Sequence, residues 1–236
     1  MERMDAVLEW LNEEEGTITV SKKNIPLLTA QVYVTGPEEA EFRVQDVVFP
    51  EELTVKDKKQ QEIICKMTKF LSVAFELLWD EGFEEVVLVE KRGSKLEKTL
   101  NSTKVVQKAY SEYMMCRCFE QEITTGSGEH VLHISSEENG YVCENEEHTF
   151  FCRLLPYDAK TEEEACCYLY EVEVEKKQRN QGIATACLTE LFRKLAADAP
   201  VTIYLQVGSY NEPAVHLYEK LGFEVSEEWC YYAYAE

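Results

Sequence analysis

No run of about 18 apolar residues occurs in the 236-residue chain, so no segment reads as a membrane-spanning helix. The opening stretch MERMDAVLEWLNEEEG lacks the basic start, apolar centre and small-residue cleavage site of a secretory signal, and none is expected. Basic residues are also scarce. There are 24 Lys and Arg against 45 Asp and Glu, a formal net charge of -21. Nucleic acid and anionic membranes are bound by clustered cations, so neither is an expected partner. The nine cysteines are odd in number and scattered, with one adjacent pair, Cys166-Cys167. Without a signal, that usage fits reduced thiols and a cytoplasmic location. A zinc-like spacing is missing as well. Cys116, Cys118, His130 and His133 form C-x-C and H-x-x-H pairs, not the C-x2-4-C and H-x3-5-H of structural zinc. The stretch EHVLHIS alternates like a strand, which would turn His130 and His133 to opposite faces, so no metal is expected.

What is present suits packed cores: 45% of residues are hydrophobic and 11% aromatic. The length suits two domains of roughly 100–150 residues. The acidity is uneven. Residues 1–120 hold 16 basic and 23 acidic residues, and residues 121–236 hold 8 and 22. Such a field attracts cationic ligands, although acidity also serves solubility alone.

The second half reads as strand, strand, helix, strand, helix, strand. HTFFCRLLPY (148–157) and YLYEVEVE (168–175) are strands, with the acidic stretch 160–164 as the turn between them. Ala184, Cys187, Leu188, Leu191, Phe192 and Leu195 recur at helical spacing, and Pro200 cannot continue that helix. VTIYLQV (201–207) is a buried strand. Pro213 suits the first turn of a second helix, with Ala214, Leu217, Tyr218 and Leu221 on one face and Gly222 as its stop. Phe223 enters a last strand.

The first half follows the same order: strand 41–49, helix 63–79, strand 85–90, a short helix 101–109 and strand 113–119. EVVLVE falls on TIYLQV and Asn101 near Asn211, which suggests an internal duplication. The boundary is expected in EQEITTGSGE (120–129).

One loop has the form of an anion site. A helix start leaves about four backbone N–H groups without internal partners, and the helix dipole adds positive potential. Arg179-Asn180-Gln181-Gly182-Ile183-Ala184 lies between a strand and a helix, with Gly182 and Ala184 small enough for close backbone approach. The spacing is neither that of a P-loop nor G-x-G-x-x-G. Alone, the loop is also consistent with a glycine that merely turns the chain.

Two motifs in order make the reading specific. V-E-K-K-Q-R-N-Q-G-I-A is followed, after a helix and a strand, by N-E-P-A-V-H-L-Y-E-K-L-G-F. Together they resemble the GNAT superfamily of acyl-CoA-dependent N-acetyltransferases, which joins a Q/R-x-x-G-x-G/A loop to an N-x-x-A-x-x-x-Y-x-x-x-G-F block. The matching residues are Arg179, Gly182 and Ala184, then Asn211, Ala214, Tyr218, Gly222 and Phe223. The motifs cover about 148–234.

The resemblance implies an α/β fold of the α+β type, with a mixed, mostly antiparallel central sheet and helices on both faces. It implies a catalytic domain over 125–236, preceded over 1–120 by a degenerate repeat. Acetyl-CoA would be the cosubstrate, without a metal, and a small or peptide amine, cationic in form, the acceptor. The amides of Asn180, Gln181, Gly182, Ile183, Ala184 and Thr185, flanked by Arg179, would bind the CoA pyrophosphate. The backbone of Val172, Glu173 and Val174 would hold the pantetheine arm, with Asn211 and Ala214 completing the site. The strand 201–207 would splay away to admit the thioester. Tyr218 stands at the position of the family's general acid. The base is less defined, because Tyr168 stands where some relatives keep a glutamate. Glu171, re-aimed by a bulge, is the candidate, and a water relay is the alternative. KDKKQQEIICKM (56–67) has no glycine where the first repeat would need one, so CoA binding is expected only in the second half. That first repeat would then wall the substrate cleft or serve as a binding module. A non-catalytic acyl-CoA-binding scaffold stays open as the other class of function.

Overall fold

The computed structural model describes residues 5–23, 25–47, 57–120, 131–138, 140–157, 165–197 and 199–235. The chain divides into two compact units. One comprises Met1–Ser111 with Trp229–Glu236, the other Glu112–Glu228. Among the described residues, no helix is long and apolar enough to cross a membrane.

The first unit begins with a meander of antiparallel strands, β1 (Asp5–Trp10), β2 (Glu15–Lys22), β3 (Ile25–Gly36) and β4 (Glu39–Val47). Ile18, Val20, Leu28, Ala30, Val32 and Phe42 alternate inward and are buried, as strands with one covered face require. These first three strands are not among the elements expected from sequence. A long helix, α1 (Asp57–Asp80), then crosses to β5 (Glu85–Lys91), which pairs in parallel with β4. Met67, Phe70, Leu71, Ala74, Phe75 and Leu78 form the buried face of α1. The final strand, β12 (Glu224–Tyr234), supplies its C-terminal part to this unit through antiparallel pairing with β5. Its Tyr234 ring packs edge-on against Phe75 and Trp79 of α1.

The short helix of this half lies elsewhere than expected. It is α2 (Lys95–Leu100), and the strand β6 (Val106–Phe119) takes up 106–109. The reason is local. Ser94 accepts from the Glu97 amide at 2.9 Å, the cap half of an S-x-x-E start. Asn101 ends the helix as its C-cap. The counterpart of Asn211 in this half is therefore Ser94, not Asn101.

The second unit contains β7 (Leu132–Glu137), β8 (Gly140–Asn145), β9 (Phe150–Tyr157), β10 (Ala165–Val174), α3 (Ile183–Leu195), β11 (Val201–Gly208) and α4 (Glu212–Lys220). Its strand order is β6-β11-β10-β9-β8-β7, with β6 contributing from Glu112 onward. Here β10 and β11 pair in parallel, around the crossover helix α3. The first unit repeats this β-α-β arrangement in β4-α1-β5. Met115, Phe119, Cys152, Leu154, Leu169, Ile203 and Leu205 pack with Cys187, Leu188, Leu191 and Phe192 of α3 and with Tyr218 and Leu221 of α4 in one core. The acidic turn expected at 160–164 and the boundary stretch 121–129 lie outside the described residues.

Asn145 organises the β8–β9 turn. It is fully buried. Its Oδ1 accepts from the Thr149 and Phe150 amides, and its Nδ2 donates to Thr149 Oγ1 and Glu147 Oε2, all at 2.8–2.9 Å. Truncation strands two amides in a closed site. Asn145→Ala should lower unfolding stability by about 2–4 kcal/mol, read from the denaturant midpoint; a change below about 1 kcal/mol would contradict this role.

Candidate functional site

The site begins where two parallel strands part. β10 and β11 pair only from Ala165–Leu169 to Val201–Leu205. Beyond that, β11 runs on along β6 to Gly208, and β10 runs on along β9 to Val174. Past Leu169, β10 therefore has no strand partner on its β11 side among the described residues. The backbone of Val172, Glu173 and Val174 borders a gap.

An irregularity opens this stretch. The β10–β9 register slips between Tyr170 and Glu173, and Glu171 adopts a left-handed φ of 49°. Regular alternation would turn Glu171 away from the face of Tyr168 and Tyr170. The left-handed residue turns it back. Its Oε2 accepts from Arg153 Nε at 2.8 Å, and Arg153 also pairs with Glu137 of β7. The bulge expected from sequence is present, and it aims Glu171 at a guanidinium.

After β10 the chain makes a single 3-10 turn, Lys176–Gln178, and enters α3 through Gly182. Asn180 and Gly182 both have positive φ, 63° and 81°. Gly182 is the N-cap, with no side-chain cap bond and no acid in the first turn of the helix. The amides that open α3, from Ile183, Ala184 and Thr185, thus start a helix uncapped by any side chain. A Cβ placed on Gly182 would meet nothing within 4 Å, so the space before the helix is open. Arg179 donates from Nε to Val174 O at 3.0 Å, and Gln181 donates to Lys177 O at 3.2 Å. Both side chains brace the loop, and Arg179 closes it onto the end of β10.

α4 begins at Asn211, whose side chain accepts from the Ala214 amide at 3.4 Å, and Pro213 lies in its first turn. At its far end Gly222 has φ +80°, and Arg117 donates to Leu221 O. This end-cap holds Tyr218 in place. Its ring is 7% exposed and meets Phe223 edge-on at 5.8 Å. Burial pushes the Tyr218 phenol up to about 12, with Cys152 and Tyr168 adding to the shift. Tyr168 is itself raised, first by burial and then by the charge of Glu112. Tyr168 of β10 thus feels the charge of Glu112 of β6, and Tyr218 of α4 feels Tyr168. Glu112 also accepts from Gln206 of β11.

The sequence-expected residues fall into one neighbourhood: the β10 end, the loop and α3 start, and α4 with Tyr218. Glu112, Gln206, Arg153 and Arg117 escape a sequence reading. Their partners lie far along the chain, 94 residues for Gln206 and Glu112, and no local spacing marks them. The weighed zinc set does not assemble. Cys116 and Cys118 lie on β6 and His133 on β7, at the two ends of the six-strand order, roughly 24 Å apart at normal strand spacing. His130 lies outside the described residues.

Residues 110–223 match the family model "Acetyltransferase (GNAT) family". A 65-residue stretch is 32% identical to the mycothiol acetyltransferase of Corynebacterium aurimucosum, covering 28% of this chain and 21% of that protein. The chain thus aligns with about a fifth of that curated relative's length. Two solved structures share the fold. A GCN5-related N-acetyltransferase from Sphaerobacter thermophilus has a TM-score of 0.60 at 12% identity, over 96% of this chain and 82% of its own. A tandem GNAT protein from the clavulanic acid biosynthesis pathway has 0.53 at 9%, over 94% and 83%. At such identities the likeness concerns the fold alone.

The state of Tyr218 has a measurable consequence. Unfolded, the phenol ionises near 10; folded, near 12. Between these values the unfolded chain has lost a proton that the folded chain keeps. The contribution to stability is therefore full below pH 10 and declines as pH rises toward 12. Tyr218→Phe should make the stability loss between pH 10 and 12 shallower by up to about 2–3 kcal/mol; an unchanged slope in denaturant midpoints would contradict the burial of this hydroxyl.

Proposed function

From the match of residues 110–223 to the acetyltransferase (GNAT) family, we propose that this protein transfers an acetyl group from acetyl-CoA to a primary amine by direct attack. The observation that carries the proposal is the combination at one gap of an open, uncapped helix start at Gly182 with a buried, protonated Tyr218.

The residues present fit an acyl-CoA. The start of α3 offers amides to a pyrophosphate, and its dipole favours the negative charge. Lys176, Lys177 and Arg179 surround the loop with positive charge in an otherwise acidic chain. The unpaired side of Val172–Val174 offers backbone groups to the amides of an extended pantetheine arm, as an added strand would. Asn211 and Ala214 set the start of α4, and with it the position of Tyr218. When bound, acetyl-CoA supplies an activated acetyl thioester.

Tyr218 donates a proton to the leaving sulfur. At neutral pH it holds that proton; handing it from a phenol near 12 to a thiolate whose thiol ionises near 8.5 is uphill by about 3–4 pK units, and is completed as Tyr218 regains a proton from the far more acidic acylated nitrogen. Glu171 is occupied by Arg153; we assign this pair to holding the bulge that shapes the β10 edge, not to proton removal. In the first unit the sequence has no glycine from the end of β4 through the first turns of α1, residues 48–67, and we assign it no CoA site. It is left the role of structural partner.

The test follows thiol release from acetyl-CoA with a panel of primary amines. Transfer to at least one amine is expected, and absence of transfer to all would favour a non-catalytic acyl-CoA-binding protein. Gly182→Glu should abolish thermal stabilisation by acetyl-CoA, because bulk and charge enter the anion site. Retained stabilisation would show that the loop is not the site. Tyr218→Phe should lower kcat by about 10²-fold or more while leaving that stabilisation in place.

A further inference from the structure

The two strands that part carry tyrosines on one face. Leu169, Ile203 and Leu205 pack with α3 and α4 in the core, so Tyr168, Tyr170, Tyr204 and Gly208 belong to the opposite face. Tyr168 and Tyr204 stand in register across the paired stretch. Further along β10, the Tyr170 ring stacks on that of Tyr168, with 6.2 Å between centroids and 25° between planes. Tyr170 already lies past the last paired residue, Leu169. Its half-buried ring therefore stands on the β10 border of the gap.

The other border also ends in a tyrosine. β11 finishes at Gly208, and a turn closed by the Asn211 amide on Gly208 O at 2.9 Å leads into α4. Tyr210 is the third residue of that turn. Its ring is 73% exposed, yet it folds back over the strand end. A Cβ built on Gly208 would stand 2.5 Å from Tyr210 Cε1 and 2.7 Å from its Cζ. The ring thus occupies the place of a Gly208 side chain, on the face of Tyr168 and Tyr170. Gly208 is not among the residues of positive φ, so its backbone does not call for glycine; the ring does. A single exposed ring is ordinary on a protein surface. This one is seated by a glycine, at the border of the gap. The tyrosine face also adjoins the proton donor, since Tyr218 feels Tyr168.

We propose that Tyr210 and Tyr170 receive the aromatic body of the acetyl acceptor, and that the acceptors of this protein are primary amines carried on a short alkyl chain from an aromatic ring. The inference rests on the acetyl-transfer reading and deepens it by naming the acceptor class. Tyrosine rings favour an aromatic guest, offset or edge-on, beyond the area it buries. The short chain leads from these rings to the thioester between the strands. The Tyr210 ring is in place before the acceptor arrives, because the turn sets its backbone and Gly208 seats it, so little side-chain freedom is lost on binding. A cationic amine also suits the acidic field of the chain.

The experiment measures acetyl transfer to 2-phenylethylamine and to 2-cyclohexylethylamine, which share the chain but differ in the aromatic face. It compares wild type, Tyr210→Ala, Tyr210→Phe, Gly208→Ala and the double variant Gly208→Ala with Tyr210→Ala. Wild type should favour 2-phenylethylamine in kcat/KM by about 3–10-fold. Tyr210→Ala should remove most of that preference through the KM for the amine, with the KM for acetyl-CoA unchanged, and Tyr210→Phe should keep it. Gly208→Ala should weaken the preference by displacing the ring, and should add nothing once residue 210 is alanine. No preference in wild type, equal losses on both amines in Tyr210→Ala, a raised KM for acetyl-CoA, or additive effects of the two substitutions would overturn the inference, while transfer by wild type to other amines of the panel would leave the acetyl-transfer reading intact. No transfer by wild type to any amine would overturn the reading beneath it.

Discussion

The parting of β10 from β11 is the constraint on which the site depends. Two parallel strands pair for five residues and then take different neighbours. A backbone edge left without a strand partner is costly if buried and useful if a ligand can bond it. Each feature nearby serves to keep that edge open. The bulge with left-handed Glu171 bends β10 away, and Arg153 ties the bent residue to β9 and, through Glu137, to β7. Arg179 then fixes the Val174 carbonyl and turns the chain into α3. A left-handed non-glycine residue costs about 1–3 kcal/mol, which the surrounding pairing must offset.

On the proposed reading, the same gap lets so acidic a chain hold an anionic donor. The donor is addressed by backbone dipoles and a short basic segment around Gly182, not by net charge. On the proposed reading, the wider acidic field is left to favour a cationic acceptor. Local dipoles act within a turn or so of a helix end, whereas net charge acts over the Debye length, about 8–10 Å at ordinary ionic strength. The two requirements therefore do not compete.

The second half was largely legible from sequence, for physical reasons. The apolar spacing from Ala184 to Leu195, Pro213 inside a first turn and Gly222 just past Leu221 are local signals, and α3 and α4 form where those signals lie. The splaying of the 201–207 strand from β10 could be expected only through the resemblance, because periodicity does not name a strand's neighbours. The first half was less legible. Ser94-Lys95-Leu96-Glu97 carries the helix start in plain view, yet the match of Asn101 to Asn211 points past it. Alternation over residues 15–36 becomes decisive only when β2 and β3 have each other to pair with. Glu112 illustrates the limit most clearly. Nothing around it in sequence distinguishes it from the chain's other carboxylates; Tyr168 and Gln206 beside it come from β10 and β11.

The central claim is that acetyl-CoA lies along the β10 edge with its pyrophosphate at the start of α3. The most direct measurement is an amide NMR titration of the labelled protein with acetyl-CoA. The account predicts the largest shifts at Val172–Val174 and Gly182–Thr185, with the amides of α1 unmoved. Large shifts confined to the first unit, or none at Gly182–Thr185, would contradict it.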